Sequence, residues 1–218
     1  MAQAQAYQCR MPSVSTVPQV SPDGPRRELA VTGYTMALSW SPEFCKPRED
    51  SRAHRTQCSG DNGRFGLIVH GLWPQSASGT WPQWCSTRGR LTPQEVRANL
   101  CMMPSASLIA RQWAKHGSCM VKRPDTYFKV ARILWESYRI PDYDRISRED
   151  DLTAGRIREA FASANRGIPA GAVGVKLNSR GWLEEIRLCY TKRFRPTRCD
   201  ASRFGASDGM KAKIWRGL

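Results

Sequence analysis

The stretch Ile68-Val69-His70-Gly71-Leu72-Trp73-Pro74-Gln75 carries a histidine directly after a short apolar run. The run from Phe65 to Val69 is bounded by glycines and rich in β-branched and aromatic residues, which is typical of a buried strand. We therefore predict that this strand ends by presenting His70. Gly71 is expected to let the chain turn tightly just beyond it.

A second histidine lies in a similar segment, Trp113-Ala114-Lys115-His116-Gly117-Ser118-Cys119. Histidine is the side chain whose ordinary pKa allows proton exchange near neutral pH, so His70 and His116 are candidates for an acid and a base. The chain has only one other histidine, His54, which lies in a polar and basic stretch and is expected to be solvated.

The charge of the chain favours a polyanionic partner. It has 218 residues, enough for one domain with a real core, and 34 Lys and Arg residues against 19 Asp and Glu, a net charge of +15. Nucleic acid is the natural partner of such an excess. The alternative is that the charge serves only solubility.

The eight cysteines indicate disulfides. They contain no closely spaced pair of the kind that binds zinc, so we expect disulfides and an oxidising compartment, periplasmic or extracellular. Cys45 and Cys58 are near enough in sequence to close a local loop. No apolar run is long enough for a membrane span. Residues 1–6 have no charged and apolar leader, so any export signal is expected to have been removed.

Periodicity predicts both strands and helices. Residues 1–30 form an irregular N-terminal arm in this interpretation, and residues 31–218 form a single domain. Large and small residues alternate from Tyr34 to Trp40, as in a half-buried strand. The remaining predicted elements are helices over 93–100, from a cap at Ser105 or Ser107 to 115, 125–138 and 153–165, and an antiparallel strand pair over 172–177 and 182–190.

Two further groups of residues suggest contact with bases and phosphates. Trp81 and Trp84 lie in a loop with few apolar neighbours, where they could stack on bases or, alternatively, cap the core. Gln112, Lys115 and His116 share one face of the predicted helix, with Arg111 at its edge, which would suit a phosphate. The alternative for the two cations is a solvated helix face.

The two histidine segments together resemble the two active-site blocks of the ribonuclease T2 family. The first block has His-Gly-Leu-Trp-Pro at 70–74, and the second matches at Trp113, Lys115, His116, Gly117 and Cys119. Further likeness lies in Leu38-Ser39-Trp40-Ser41-Pro42, in Met103-Pro104-Ser105 and in the closing segment 213–218, so the resemblance covers roughly residues 34–218.

The resemblance implies an α+β fold, with a twisted antiparallel sheet and helices packed around it. It also implies the disulfides Cys85–Cys119 and Cys189–Cys199. If Cys45 pairs with Cys58, then Cys9 and Cys101 remain as the last pair.

The second block departs from the family at Arg111-Gln112, where members usually have His-Glu. The family uses the first position for phosphate binding and the glutamate for support of the transition state. Arginine retains phosphate binding through its fork of donors. Glutamine keeps a hydrogen-bonding group and loses the charge.

We therefore expect a metal-independent endoribonuclease that forms a 2′,3′-cyclic phosphate, as a monomer with no cofactor, no metal and no membrane partner. His116 is assigned as base and His70 as acid, although the sequence does not fix which histidine has which role. Lys115 and Gln112 are assigned as further catalytic residues. Substrate binding is assigned to Arg111, Trp40, Trp73, Trp81 and Trp84.

Two other functions remain open. A non-catalytic RNA-binding protein of the same fold would account for the missing glutamate. A basic, disulfide-rich membrane toxin would account for the charge and for neither histidine block.

Overall fold

A four-stranded antiparallel sheet carries the candidate site in the computed structural model, which describes residues 6–7, 9–77, 79–86 and 89–217. The strands are β1 (Ala6–Tyr7), β2 (Gly33–Trp40), β3 (Arg64–Phe65), β4 (Leu67–Gln75), β5 (Val173–Leu177) and β6 (Leu183–Thr191). The sheet has the order β4-β2-β6-β5, and β1 pairs separately with β3. The predicted strand at Tyr34–Trp40 and the predicted antiparallel pair are confirmed.

The strand that contains His70 does not end there, and that prediction was wrong. β4 continues through Gly71 to Gln75 and pairs with β2 along its whole length. Ala37 pairs with Gly71 and Leu38 with Val69, so His70 is an extra residue that pairs with neither. Where we had expected a turn, the chain thus forms a β-bulge within a continuous strand.

The outer edge of β4 is covered rather than left open. The amide of Val69 donates to the carbonyl of Met102 (2.9 Å), and the amide of Leu72 donates to the Tyr127 hydroxyl (3.2 Å). The edge position also tolerates Pro74, which has no amide hydrogen for a strand on that side. These contacts hold the histidine strand against the helices.

The predicted helices are confirmed, and the described residues contain further short helices that were not predicted. The helices are α1 (Ser41–Cys45), α2 (Arg55–Cys58), α3 (Pro93–Asn99), α4 (Ala106–Lys115), α5 (Pro124–Ser137), α6 (Tyr143–Ile146), α7 (Ala154–Ala164) and α8 (Ala201–Phe204). Short 3-10 turns span Arg52–His54, Gly117–Cys119 and Ala170–Ala172. Thr92 and Glu95 form the expected capping box of α3, and Ser105 caps α4. The α+β class is therefore confirmed.

One face of β2 belongs to the core. Met36 and Leu38 are fully buried there, and Trp40 is only 8% exposed. The indole N–H of Trp40 donates to the carbonyl of Trp215 (2.6 Å), and its ring packs edge-on against Tyr143. Trp40, which we assigned to substrate binding, is thus a core residue with no free ring face, because strand alternation turns it away from Ser39 and the opposite face.

All four disulfides have the expected partners. They are Cys9–Cys101, Cys45–Cys58, Cys85–Cys119 and Cys189–Cys199. Residues 9–32 contain no helix or strand, and Arg27 alone forms an isolated bridge with Gln83. Four such crosslinks fit a protein that matures in an oxidising compartment.

Candidate active site

His70 projects from the β4 bulge toward a buried carboxylate. Its Nδ1 lies 2.7 Å from Oε2 of Glu185 on β6, two strands away across β2. Bulges re-aim a side chain, which explains how a residue on the edge strand reaches across the sheet. The His70 side chain remains 37% exposed, whereas that of Glu185 is only 7% exposed. One ring nitrogen of His70 is therefore fixed by the protein while part of the ring faces solvent.

The Glu185 carboxylate is held in its charged form. Burial alone would raise its pKa, but the hydrogen bonds and charges of His70 and Arg187 outweigh burial and lower it. Nε of Arg187 donates to Oε1 of Glu185 (2.8 Å). An ionised carboxylate only accepts hydrogen bonds, so Nδ1 of His70 carries the hydrogen and Nε2 is the nitrogen left for chemistry.

Sequence reasoning missed Glu185. Glu184 and Glu185 are adjacent in a strand, and alternation alone does not tell which of them points inward. The structure shows a second bulge here, because Leu177 pairs with Leu183 while Lys176 pairs with Glu185. Glu184 is left to a surface ion pair with Lys176. The pairing of β5 with β6 therefore determines which of the two glutamates points inward.

His116 lies at the end of α4 in a very different environment. The residue is 7% exposed, and its Nδ1 is buried with no hydrogen-bond partner among the residues that the structure describes. Burial, reinforced by the positive charges of Lys115, His70 and Arg111, lowers the pKa of His116 to about 3. These effects favour the neutral imidazole of His116 near neutral pH.

Gly117 begins the 3-10 turn that follows α4. A Cβ at this position would lie 2.6 Å from the Trp113 ring and 2.8 Å from Tyr127. Close packing, rather than an unusual backbone angle, thus requires glycine, and the Cys85–Cys119 disulfide fixes the same turn.

Trp73 lies between the two histidines. Its ring centroid is 5.1 Å from that of His70 and 5.8 Å from that of His116. Its indole N–H donates to Oε1 of the buried Gln112 (2.8 Å). A Cβ at position 71 would lie 2.0 Å from this same oxygen, so Gly71 allows the close approach of α4 to β4. The two blocks of sequence thus meet at Trp73 and Gln112.

Lys115 and Arg111 form a cationic pair beside His116, as the helix face predicted. Both contact the carboxylate of Asp23 from the N-terminal arm. Both cations also lie over the ring of Trp84, at 5.8 Å and 5.7 Å from its centroid. Asp23 was not recognised from the sequence, because nothing in the arm's composition indicates where it packs.

The two loop tryptophans differ. Trp81 is 44% exposed and carries Arg27 over its ring, so it keeps a surface on which a base could stack. Trp84 is only 9% exposed, and its indole N–H donates to Asp23 (3.1 Å). The expectation of a loose Trp84 was wrong, because the N-terminal arm covers it.

A cavity of about 550 Å³ opens beside His70. Its walls include Ser39, Glu185 and the basic residues Lys46, Arg48 and Arg180. This volume lies in the range of small-molecule sites. Within the described ranges, no three His, Cys, Asp or Glu side chains are grouped so that they could ligate a metal ion. No helix in the same part of the chain is long and apolar enough to span a membrane.

Comparisons with known proteins identify the family of this chain. The family model of the ribonuclease T2 family matches residues 32–199. A probable ribonuclease of Haemophilus influenzae is 28% identical over 195 residues, which cover 82% of this chain and 64% of that protein. A ribonuclease of Aeromonas hydrophila is 44% identical over 86 residues, which cover 39% of this chain and 36% of that protein. The chain thus spans between about a third and two thirds of the length of these relatives.

The fold is also that of a solved structure. Trichomaglin, which its structure report calls a novel S-like ribonuclease, superposes with a TM-score of 0.67 at 19% identity. The superposition covers 84% of this chain and 98% of trichomaglin. The family model accounts for most of the chain, including both histidine blocks and all four strands of the sheet. The chain belongs to the ribonuclease T2 family.

Proposed function

We propose that this protein is an endoribonuclease that cleaves single-stranded RNA by transesterification, with its own histidines as acid and base. One observation supports the proposal above all others. Two histidines flank Trp73 in opposite environments, His116 neutral among cations and His70 hydrogen-bonded to an ionised carboxylate. General acid–base catalysis needs such a difference between its two groups.

In the first step, neutral His116 removes the proton from the ribose 2′-hydroxyl. The 2′-oxygen then attacks phosphorus, and the bond to the 5′-oxygen of the next nucleotide breaks. Protonated His70 gives its Nε2 proton to that leaving oxygen. One proton is taken and one is given, so the products are a 2′,3′-cyclic phosphate and a free 5′-hydroxyl.

Lys115 and Arg111 supply the positive charge that the phosphorane requires. Fixed cations stabilise a transition state most where water is scarce, and the Lys115 side chain is only 17% exposed. Gln112 acts indirectly. Its side-chain carbonyl oxygen accepts a hydrogen bond from Trp73, the residue that lies between the two histidines. A charged glutamate is not needed for that contact.

Water would open the cyclic phosphate in a second step with the roles reversed. His70, now neutral, removes a proton from water, and His116 returns its proton to the 2′-oxygen. Because its pKa is low, the protonated ring of His116 is a strong acid and gives up its proton quickly. We expect the cyclic product to accumulate, because ring opening by water is the second of two separate reactions.

The disulfides and the net charge extend the proposal to the compartment of the protein and to the polymer that it binds. Four crosslinks suit a periplasmic or secreted enzyme. The net charge of +15 suits a single-stranded polyanion that is bound largely through its phosphates. We propose that the protein acts as a monomer, since both histidines lie on one chain.

The test is incubation of the protein with yeast RNA in excess EDTA, followed by ³¹P NMR of the products. We expect cleavage that is insensitive to the chelator and a 2′,3′-cyclic phosphate resonance that appears first. Single-stranded DNA, which lacks the 2′-hydroxyl, should remain intact. Loss of cleavage in EDTA, or DNA cutting at a comparable rate, would contradict the mechanism.

A further inference from the structure

The carboxylate of Asp23 occupies the cationic end of the site. Nζ of Lys115 lies 3.0 Å from each of its oxygens, and the guanidinium of Arg111 also donates to it. The indole N–H of Trp84 donates to Oδ1 at 3.1 Å. Donors from two cations and an indole thus surround one carboxylate and together form an anion-binding site.

Asp23 is brought there by a strap, residues 23–28, that lies along residues 81–86. Arg27 and Gln83 exchange backbone hydrogen bonds (2.9 and 3.0 Å), and the side-chain amide of Gln83 donates to the carbonyl of Pro25 (2.8 Å). Glu28 accepts from the amide of Ser86 (3.1 Å). The strap is therefore held by its own contacts, independently of Asp23.

We propose that Asp23 marks the position of a substrate phosphate, and that the strap is an autoinhibitory contact that RNA must displace from Arg111 and Lys115. This inference rests on the proposed function, because it identifies the same two cations as the phosphate site. A carboxylate and a phosphate both present oxygens that accept from a guanidinium and an ammonium. They cannot use the same donors at the same time.

The strength of the contact suits a reversible block. The Asp23 side chain is 42% exposed, and exposed ion pairs are weak because water competes for both partners. The hydrogen bond from Lys115 lowers the pKa of Asp23 to about 2, against the opposing effect of its burial, with the charges of Lys115 and Arg111 adding to the decrease. The block therefore does not open by protonation, and a phosphate must compete with a full negative charge.

The experiment compares Asp23→Asn with the wild type in the intact chain. Binding of inorganic phosphate is measured by titration calorimetry, and KM and kcat are measured on a dinucleoside monophosphate. We expect the variant to bind phosphate about two- to fivefold more tightly, with a KM lowered by a similar factor. Asp61→Asn is the matched control, since it removes the same charge from an exposed ion pair with Arg55.

The phosphate titration separates this inference from the proposed function, because it needs no cleavage. Asp23→Asn that binds phosphate no more tightly than Asp61→Asn would overturn the inference, and so would weaker binding. In the unaltered protein, added phosphate should shift the NMR resonance of the Trp84 indole N–H as Asp23 leaves it. A resonance that stays fixed while phosphate binds would overturn the inference without any variant of Asp23.

Discussion

The two histidines of the site are held by opposite means. His70 projects from a bulged strand, is partly exposed, and donates to the buried Glu185. His116 ends a helix, is almost fully buried, leaves Nδ1 without a partner in the described part of the chain, and has Lys115 and Arg111 as neighbours. His70 thus has a carboxylate partner, whereas burial and neighbouring cations lower the pKa of His116. Two identical side chains therefore differ in their electrostatic surroundings.

In the proposed mechanism, the difference between the two histidines favours one choice of catalytic roles, which their sequence segments leave open. A base must be unprotonated before it acts and an acid must be protonated, so the neutral His116 suits the first role and His70 the second. The assignment depends on Glu185 and on burial, and neither can be read from the two histidine segments. Each of the following changes tests one side of this comparison.

The largest effects are expected from removing each histidine. His70→Ala and His116→Ala should each lower kcat by about a hundred- to ten-thousandfold, because each variant loses one proton transfer. Affinity for RNA should change little, since it comes mainly from many cations. Single-turnover cleavage and filter binding of the same RNA measure the two quantities. A variant that keeps most of the wild-type rate would show that its histidine is structural.

Loss of the carboxylate partner should have a smaller effect. Glu185→Gln removes the carboxylate that accepts the hydrogen bond from Nδ1 of His70 and orients its ring, so kcat should fall by about ten- to a hundredfold. Glu185→Asp should restore part of the rate. Glu184→Gln is the matched control on the same strand, because that side chain pairs with Lys176 at the surface. A kcat of Glu185→Gln equal to that of the control would exclude an effect through His70.

The smallest effect is expected at Gln112, on the side of His116. Gln112→Glu places a negative charge beside the cations that depress the pKa of His116, so that pKa should rise and the pH optimum should move upward. The maximal rate should increase by up to about tenfold, because the carboxylate also orients the charges around the phosphorane. Gln94→Glu adds the same charge on the exposed start of α3.

The measurement is a pair of pH–rate profiles, one for Gln112→Glu and one for the wild type, on the same dinucleotide substrate. An unchanged optimum with an unchanged rate would place position 112 outside the catalytic shell. A slower variant would mean instead that the site is tuned around Arg111, with glutamine as its partner.

The sequence predicts the elements of this fold better than it predicts their junctions. Caps, periodicity and cysteine counts reflect local chemistry, so α3, α4 and the strand of Trp40 were predictable. The bulge at His70 and the inward turn of Glu185 depend on pairing between strands that are distant in sequence. Asp23 reaches the site only through contacts of the arm with residues 81–86. Trp40 was assigned to substrate binding from the sequence, but it is buried in the core. Only the packing of the folded chain distinguishes these two roles.

The central claim is that His116 is buried as a neutral base, and an NMR titration of the histidine rings tests it most directly. The ring resonances are recorded from pH 8 downward, and His116→Ala assigns the signal. We predict that His116 stays neutral through the range in which an ordinary histidine titrates and takes up its proton only at about pH 3. A midpoint near 6.5 would contradict the account, because His116 would then be as easily charged as a histidine in water.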